Sequence, residues 1–581
     1  MNNRKANNWW ENRLAVMMVI IVFFAALLLA KLALMQLWQH DDYLARAEGQ
    51  HQTSEKLTPK RGEIFLQDYK EPQHYYPFAT NRKFYLVYAN TNEVKYPHDT
   101  MDKLAAIFNI AEDDQESRDI LLGRLIKSND IYEPLQNKVT EEQRLQLDEL
   151  ALPGIYYNDE VMRYYPEGRV GSQVVGFVGY TDDGYQGQYG LEGYFNKELS
   201  GQSGYLSSDV DGIGRIIATA ERNYKRAENG FDLILTIDRA IQFHTCSLLQ
   251  KDVLKYGAES GTVIIMDPNT GAIMAMCSYP DFDPNIYNKV ESMSVYNNPA
   301  IFEAYEPGSV FKAITMAAGL DMGLLTPETT FEDTGEVKIA DYTIRNAENK
   351  KYGKQNMTQV LEKSINTGAI WVAQQVGNQK WRDYVENFGF GQPTGISLDS
   401  EVAGNISALN KRGEIYLATS SYGQGITATP IQLVTAFGAI ANGGKLVKPY
   451  IVDKVKFSSG LEEQNQPTVV RQVISSKTSI TLAAMLGSVV ESGHAQSAGV
   501  DGYYIAGKTG TAQSVISGGE YDKTKTVHTF VGFAPLASPR FVMLTKFDHP
   551  TNVEFAASSA APLFGEIAKY LLNYLQIPVE K

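Results

Sequence analysis

Ser309-Val310-Phe311-Lys312 is the first of three short strings that decide the fold and the chemistry of this chain. Ser364-Ile365-Asn366 follows it, and Lys508-Thr509-Gly510-Thr511 lies nearer the C-terminus. A Ser-x-x-Lys string by itself arises by chance in a chain of 581 residues. All three in this order, with wide gaps between them, indicate an enzyme whose serine attacks a carbonyl, waits as an acyl-enzyme and passes the acyl group on.

The first string places a nucleophile beside a base. Pro307 and Gly308 precede Ser309, which predicts a helix start with Ser309 and Lys312 one turn apart on one face. Lys312 can activate the serine only when neutral. For even half of it to be neutral near pH 7, its pKa must fall by about 3 from about 10.4, which corresponds to roughly 4 kcal/mol. Burial and the like charge of Lys508 can cause that change. For an isolated string, the alternative is a helix N-cap with an exposed lysine.

The second string adds a hydroxyl and an amide just before the apolar run 368–372. We predict that Ser364 relays a proton and that Asn366 holds an amide of the substrate. The alternative is an ordinary turn or another helix N-cap.

The third string follows a strand-like run, so its edge can pair with an extended peptide. Lys508 and Thr509 are predicted to bind a carboxylate, and Gly510 to let the substrate lie close. Backbone N–H groups of Ser309 and Thr511 are predicted to form an oxyanion hole.

Composition bounds the class of protein. The net charge of −14 argues against a nucleic-acid binder, which is normally basic. The hydrophobic share of 44% supports real cores, and the length predicts two or three domains. Cys246 and Cys277 form no C-x-x-C pair, which predicts neither a zinc site nor a disulfide framework. We expect both to be buried as small hydrophobic side chains, with one bridge between them as the alternative.

The N-terminal region reads as a membrane anchor. Residues 14–37 are almost wholly apolar, and at 1.5 Å per residue they span roughly 36 Å against a bilayer core of about 30 Å. We therefore predict a transmembrane helix over 14–38, with Lys31 snorkelling or facing a partner helix. Basic residues in the tail 1–13 place that tail in the cytoplasm. A cleaved signal peptide is the alternative.

Two further regions follow the anchor. Residues 39–229 mix short strand-like and helical runs with glycine-rich turns, and we interpret them as a non-catalytic pedestal. Residues 230–581 carry the three strings. Strands at both ends with helical patterns between them, through to about residue 443, predict a sheet covered by helices on both faces. The predicted strands are 233–237, 261–267, 271–276, 502–506, 529–533 and 541–547, with an N-cap at Asp238 and a last helix over 561–575.

With these strings the chain resembles the class B penicillin-binding proteins, monofunctional peptidoglycan transpeptidases, over nearly all of its length. Supporting strings are Arg61-Gly62-Glu63-Ile64, Gly190-Leu191-Glu192-Gly193, Asp281-Phe282-Asp283-Pro284-Asn285, Glu306-Pro307-Gly308-Ser309 and Ala428-Thr429-Pro430-Ile431-Gln432-Leu433. The cell-division type is the most similar, because of residues 423–426, the S-x-N form of the second string and residues 506–513. One departure is Phe65-Leu66-Gln67, where the family usually continues into an Asp-Arg turn.

The resemblance implies a fold and a reaction. The fold is α/β (α+β), with a mainly antiparallel sheet between helices, behind a transmembrane helix and a mixed α+β pedestal. The serine would attack the penultimate D-alanine carbonyl of a donor stem peptide, release D-alanine, and yield a cross-link to an acceptor amine. No metal or organic cofactor is needed, and β-lactams, which mimic D-Ala-D-Ala, would acylate the same serine. The implied catalytic residues are Ser309, Lys312, Ser364, Asn366 and Lys508, and the implied substrate-binding residues are Thr509, Gly510 and Thr511.

The resemblance also implies a location and partners. The chain would be a single-pass protein of the bacterial plasma membrane with its catalytic domain outside. Its partners would be a polytopic glycan polymerase and other membrane proteins of the division machinery, and no nucleic acid.

Three alternatives stay open. A β-lactamase or D,D-carboxypeptidase needs a base that activates water, and Glu401-Val402-Ala403-Gly404-Asn405 has the bare E-x-x-x-N spacing of class A β-lactamases. An antibiotic sensor or scaffold would be non-enzymatic. An elongation-type penicillin-binding protein is the nearest alternative to the division type.

Overall fold

The computed structural model describes residues 8–39, 52–181, 184–209, 222–515 and 521–581. The chain forms two compact units, one of Met1–Lys60 with Gly201–Asn229 and one of Arg61–Ser200 with Gly230–Lys581. Part of the predicted cytoplasmic tail, residues 1–7, lies outside the described residues.

Short strands and helices alternate along most of the described chain. The strands are β1 (Gln52–Leu57), β2 (Ile64–Gln67), β3 (Tyr76–Ala89), β4 (Glu133–Val139), β5 (Ile155–Tyr164), β6 (Phe177–Thr181), β7 (Gly184–Gln188), β8 (Gly204–Asp209), β9 (Arg222–Lys225), β10 (Asp232–Asp238), β11 (Ser260–Met266), β12 (Ile273–Tyr279), β13 (Thr330–Asp333), β14 (Glu336–Ile339), β15 (Tyr342–Arg345), β16 (Gly353–Asn356), β17 (Lys445–Val447), β18 (Val452–Lys456), β19 (Glu462–Gln464), β20 (Val469–Gln472), β21 (Ala506–Val515), β22 (Tyr521–Ala534) and β23 (Phe541–Asp548). The α-helices are α1 (Asn8–Ala33), α2 (Pro97–Ile107), α3 (Gln115–Leu125), α4 (Glu141–Leu150), α5 (Ser172–Val175), α6 (Gly190–Tyr194), α7 (Asn196–Ser200), α8 (Arg239–Tyr256), α9 (Pro299–Phe302), α10 (Lys312–Asp321), α11 (Met357–Glu362), α12 (Asn366–Val376), α13 (Asn378–Asn387), α14 (Glu414–Ser421), α15 (Pro430–Ala441), α16 (Ser476–Glu491) and α17 (Ala560–Tyr574).

The first unit holds the apolar segment and a small sheet. Helix α1 runs into a π-helical turn at Leu34–Trp38. Of the residues that the structure describes, one helical stretch, Arg13–Trp38, is long and apolar enough to cross a membrane. The small sheet is antiparallel, in the order β1-β8-β9.

The second unit contains a seven-stranded sheet in the order β19-β18-β10-β2-β3-β4, with β5 paired to β3. Strand β10 runs parallel to β2, and the other pairs are antiparallel. This sheet takes strands from both sides of the boundary predicted between residues 229 and 230, and that boundary stays a prediction.

The part of the second unit that carries the three strings is built on a five-stranded antiparallel sheet in the order β12-β11-β23-β22-β21. On one face, Gly261 of β11 lies against Leu249 and Val253 of α8, and Phe530 of β22 contacts α17. On the other face, α15 lies against Met266 of β11. The predicted antiparallel sheet with helices on both faces is therefore confirmed, as is the N-cap at Asp238, whose side chain accepts from the backbone of α8.

Three details differ from the sequence-based expectations. The strand expected at 502–506 begins only at Ala506, so the third string lies inside β21 rather than after a strand. Residues 330–356, expected to be part of a helical stretch, form the short pairs β13–β16 and β14–β15. The expectation of two unbridged cysteines is wrong, because Cys246 of α8 meets Cys277 of β12 in a disulfide with 5.3 Å between the Cα atoms.

Two of the supporting strings meet in one buried ionic cluster. Glu192 of the Gly-Leu-Glu-Gly string is fully buried and accepts from Arg61 Nε at 2.7 Å and from Arg163 Nε at 2.6 Å. Burial opposes its ionisation, but the two guanidinium groups prevail and hold the pKa of Glu192 below its usual range. The cluster joins the chain entering β2 to strand β5 and helix α6.

Glu192→Gln should destabilise the fold by about 3–5 kcal/mol, because the buried guanidinium of Arg163 and the part-buried one of Arg61 lose their counter-charge. The measurement is the free energy of unfolding of the full-length chain in detergent by chemical denaturation. Glu198→Gln is the matched control, since Glu198 is exposed on α7 and its substitution should change the free energy by less than about 0.5 kcal/mol. Equal stabilities of the two variants would contradict this role for the cluster.

Candidate active site

Ser309 lies in a 3₁₀ turn, Gly308–Phe311, that leads directly into α10. Residues three apart align in a 3₁₀ turn, so Ser309 and Lys312 share one side of it. Gly308 has a φ of +56°, and its N–H donates to the carbonyl of Gly423 at 3.0 Å. A Cβ atom on Gly423 would lie 2.2 Å from the carbonyl oxygen of Gly308, so glycine at position 423 lets the 423–426 loop lie close to this turn.

Lys312 is buried and reaches the second string. Its Nζ lies 2.5 Å from the carbonyl oxygen of Ser364, 2.7 Å from Asn366 Oδ1 and 3.2 Å from Ser364 Oγ. An ammonium group has three N–H donors, which these three acceptors would use. A neutral amine has two N–H donors and one lone pair. Deprotonation of Lys312 therefore gives its Nζ a lone pair that can accept a proton.

The electrostatics favour a neutral Lys312. Burial, followed by the like charge of Lys508, holds the pKa of Lys312 well below its usual range. These are the two causes predicted from the sequence. Lys508 is also fully buried, and burial lowers its pKa to about 7. Two buried lysines with lowered pKa values therefore share this site.

Ser364 links the two lysines. It occupies the turn between α11 and α12 with a φ of +53°, a conformation that non-glycine residues adopt at a cost and that clusters at functional sites. Its Oγ accepts from Lys508 Nζ at 2.9 Å and lies 3.2 Å from Lys312 Nζ. The structure therefore shows both a turn, the alternative reading of this string, and a contact to each lysine.

The third string lies on the edge strand β21 and faces the nucleophile turn. A Cβ atom on Gly510 would lie 2.7 Å from Val310 Cγ2 and 2.8 Å from the carbonyl oxygen of Pro307. Glycine at this position thus allows the strand to approach the serine turn. Thr511 Oγ1 accepts from the N–H of Ala556 at 3.1 Å, which ties the strand to the 3₁₀ turn at Ala556–Ser558.

These side chains border a cleft of about 700 Å³. The predicted residues that line it are Ser309, Ser364, Asn366, Thr509 and Thr511. Lys312, Lys508 and Gly510 lie buried beneath them. Lining residues that sequence reasoning did not select include Thr343, Arg345, Tyr352, Tyr422, His494 and Phe555. Gln424 also lines the cleft, and only the family string at 423–426 pointed towards it.

The described residues contain no group of three or more His, Cys, Asp or Glu side chains placed to hold a metal ion. The polar groups that line the cleft include hydroxyl and amide groups together with the side chains of Arg345, Glu348 and His494, and the amines of Lys312 and Lys508 lie beneath them. This arrangement can activate a serine, move a proton and bind an anionic peptide end.

Two family models match the chain in succession. The penicillin-binding protein dimerisation domain matches residues 56–235, and the penicillin binding protein transpeptidase domain matches residues 261–569. The chain belongs to the class B penicillin-binding proteins. This membership confirms the resemblance and the fold class drawn from the three strings.

Members of this family from several bacteria are similar along most of the chain. Stage V sporulation protein D of Bacillus subtilis is 33% identical over 90% of this chain and 79% of its own length. Peptidoglycan D,D-transpeptidase FtsI of Escherichia coli K12 is 30% identical over 82% of this chain and 78% of its own. Among solved structures, penicillin-binding protein 3 of Mycobacterium tuberculosis complexed with aztreonam aligns with a TM-score of 0.69 and 25% identity, covering 91% of this chain and 98% of that one.

Proposed function

We propose that this class B penicillin-binding protein of the cell-division type is a peptidoglycan D,D-transpeptidase that works through a Ser309 acyl-enzyme. Its substrates are a donor stem peptide ending in D-Ala-D-Ala and an acceptor amine on a neighbouring stem. The observation that carries the role of Ser309 is the buried amine of Lys312, three residues along the same turn and bonded to the second string. β-Lactams act as substrate mimics that acylate the same hydroxyl.

In the first half of the reaction, Ser309 Oγ attacks the penultimate D-alanine carbonyl while its proton moves to the lone pair of Lys312 Nζ. The C–N bond to the terminal D-alanine then breaks, and the leaving nitrogen needs a proton. Ser364 Oγ lies 3.2 Å from Lys312 Nζ, so the hydroxyl takes a proton from Lys312 and passes its own to that nitrogen. The products are a Ser309 ester and free D-alanine.

Lys508 and the edge strand hold the substrate in this scheme. The charge of Lys508 attracts the terminal carboxylate, the Thr509 hydroxyl donates a hydrogen bond to it at the cleft wall, and Asn366 bonds a peptide amide. The N–H groups of Ser309 and Thr511 stabilise the oxyanion. In the second half, the acceptor amine attacks the ester, its proton returns through Lys312 to Ser309 Oγ, and the amide cross-link is released.

The site disfavours a hydrolase. Glu401, the residue with β-lactamase-like spacing, accepts from the N–H and hydroxyl of Thr394 at 2.7 and 2.6 Å and from the N–H of Gly395 at 2.9 Å. It is absent from the lining of the described cleft. Its carboxylate supports a loop and is not placed to activate water against a Ser309 ester.

The division role and the partners belong to the same proposal. Relatives named FtsI and the sporulation relative favour septal wall synthesis over elongation. The apolar helix Arg13–Trp38 supports a membrane anchor, with a cytoplasmic tail and an external catalytic part. A polytopic glycan polymerase and other division proteins are the expected membrane partners.

The reaction is tested by incubating the full-length chain in detergent with a fluorescent penicillin and following the intact mass over hours. One persistent adduct is expected, and a donor pentapeptide plus an amine acceptor should give the aminolysis product with release of D-alanine. Glu401→Gln should leave the adduct lifetime unchanged. Rapid loss of the adduct in the wild type, slowed in Glu401→Gln, would instead identify a hydrolase.

A further inference from the structure

A buried carboxylate lies behind the second string, outside the three catalytic strings. Asp333 ends β13, and its side chain is fully buried. It accepts from Thr367 Oγ1 at 2.6 Å, from Tyr352 N at 2.7 Å, and from Gly335 N and Asn346 Nδ2 at 3.0 Å each. One carboxylate therefore collects donors from the segment 335–352 and from the first turn of α12.

The partners of Asp333 are tied to one another as well. The N–H of Thr367 donates to Asn346 Oδ1 at 3.2 Å, and Asn346 Nδ2 also donates to the carbonyl of Lys350 at 3.1 Å. The segment between them includes β14, β15 and several residues that line the cleft. Asp333 thus fastens one wall of the cleft to the start of α12.

The cluster is one bond away from the catalytic amide. Asn366 Nδ2 donates to the carbonyl of Arg345 at 2.9 Å, next to Asn346 in the chain. Asn366 Oδ1 in turn accepts from Lys312 Nζ at 2.7 Å. Asn346 follows Arg345 in the chain and Thr367 follows Asn366, and Asp333 accepts hydrogen bonds from both. The position of Asn366 against Lys312 therefore depends on the carboxylate.

We propose that Asp333 is a positioning residue for acyl transfer, which orients Asn366 and thereby fixes the Lys312 amine in its buried place. This inference rests on the proposed function and adds a residue that does not touch the substrate. Asp333 acts through Thr367 and Asn346, and its loss loosens the wall of the cleft as well as the second string.

The carboxylate is suited to this task because it stays an acceptor. Burial alone would raise the pKa of Asp333, but the donors around it, first the Thr367 hydroxyl, prevail and hold the pKa below its usual range. An ionised carboxylate offers only acceptors, which matches the donors that surround it. Asparagine has nearly the same shape, but its amide would place N–H groups against those donors.

Asp333→Asn is the test. Penicillin acylation should slow by about 10–100-fold, since a displacement of about 1 Å in an active site can cost 100-fold. The rate of acylation should rise with pH as Lys312 loses its proton, and this rising part of the pH profile, its acid limb, should also move to higher pH. The pKa of Lys312 is lowered by burial, so entry of water into a loosened site returns it towards the ordinary value.

Asp321→Asn is the matched control. Asp321 lies at the far end of α10. Its carboxylate, like that of Asp333, accepts several hydrogen bonds: from Tyr384 OH at 2.8 Å, Ser475 N at 2.8 Å and Thr478 Oγ1 at 2.9 Å. Burial opposes its ionisation as well, yet its donors lower its pKa. Its loss should reduce stability but leave the acid limb where the wild type has it.

Thr367→Val keeps the test informative where Asp333→Asn fails to fold. It removes one bond to Asp333 and conserves the side-chain shape, and the acid limb should move in the same direction by less. An unmoved acid limb in every foldable variant, or an equal move in Asp321→Asn, would overturn the inference. A wild type with no Ser309 adduct would overturn the proposed function itself, so the two failures are distinguishable.

Discussion

Ser309→Ala should abolish acylation by penicillin, with a loss of about 10⁶-fold in the rate constant. Removing the nucleophile of a serine protease has an effect of that size, because the other catalytic groups have no covalent step left to assist. In this chain Ser364 Oγ also lies 3.2 Å from Lys312 Nζ, but it already accepts from Lys508 at 2.9 Å and is the proposed proton relay rather than the nucleophile.

The measurement is the intact mass of the full-length chain after incubation with a fluorescent penicillin. Ser247→Ala is the control, since Ser247 lies exposed on α8 and bonds only the carbonyl of Phe243 among the contacts seen. It should be acylated at the wild-type rate. Labelling of Ser309→Ala at a rate near that of the control would show that another residue is the nucleophile.

The three strings predicted the chemistry because the reaction needs particular groups at short spacing. In this chain the serine and its proposed base are three residues apart, and that spacing is visible in the residues 309–312. The fold class followed for a related reason. Long apolar strands such as β11 and β23 are buried on both faces, and their composition is distinct from that of the helices around them.

The strand β21 begins later in the chain than the sequence predicts because the third string has no strand-like pattern. Gly507, Gly510 and the threonines give no hydrophobic alternation, so the aromatic residues before them appeared the better strand. The backbone pairing of Ala506–Val515 with β22 decides the matter in the structure. Glycine is present where the strand approaches Val310, a close contact that no local pattern records.

The Asp333 cluster could not be predicted from the sequence. Strands β13–β16 have four residues each, which is too short for a period of two to be distinguished from a loop. Asp333 and Thr367 meet only through tertiary packing. The disulfide has the same cause, because the distance between Cys246 and Cys277 depends on how α8 lies on the sheet.

Lys312→Met should slow acylation by about 10²–10⁴-fold and remove the acid limb of the pH dependence. Methionine fills a similar volume but cannot accept the serine proton, so the general-base contribution is lost. Burial and the charge of Lys508 hold the pKa of Lys312 well below its usual range. In the wild type, the fraction of neutral Lys312 therefore rises as pH rises through this lowered pKa, and acylation rises with it.

On the alkaline side of the pH profile, the acylation rate should fall as pH rises. Burial lowers the pKa of Lys508 to about 7, so its charge is lost as pH rises through about 7. The attraction for the carboxylate of the substrate or the β-lactam is then lost, and acylation falls. The wild-type profile should thus be bell-shaped, and Lys312→Met should retain only the alkaline side.

Lys138→Met is the control for this comparison. Lys138 is part-buried, burial lowers its pKa as it does that of Lys312, and it does not line the cleft. Its variant should keep the bell-shaped profile at the wild-type rate. If instead the wild-type rate climbs about tenfold per pH unit up to pH 9, Lys312 titrates like an exposed lysine and cannot be the base at neutral pH. Loss of the bell-shaped profile in Lys312→Met but not in Lys138→Met would show that Lys312 is the buried group whose lowered pKa controls acylation.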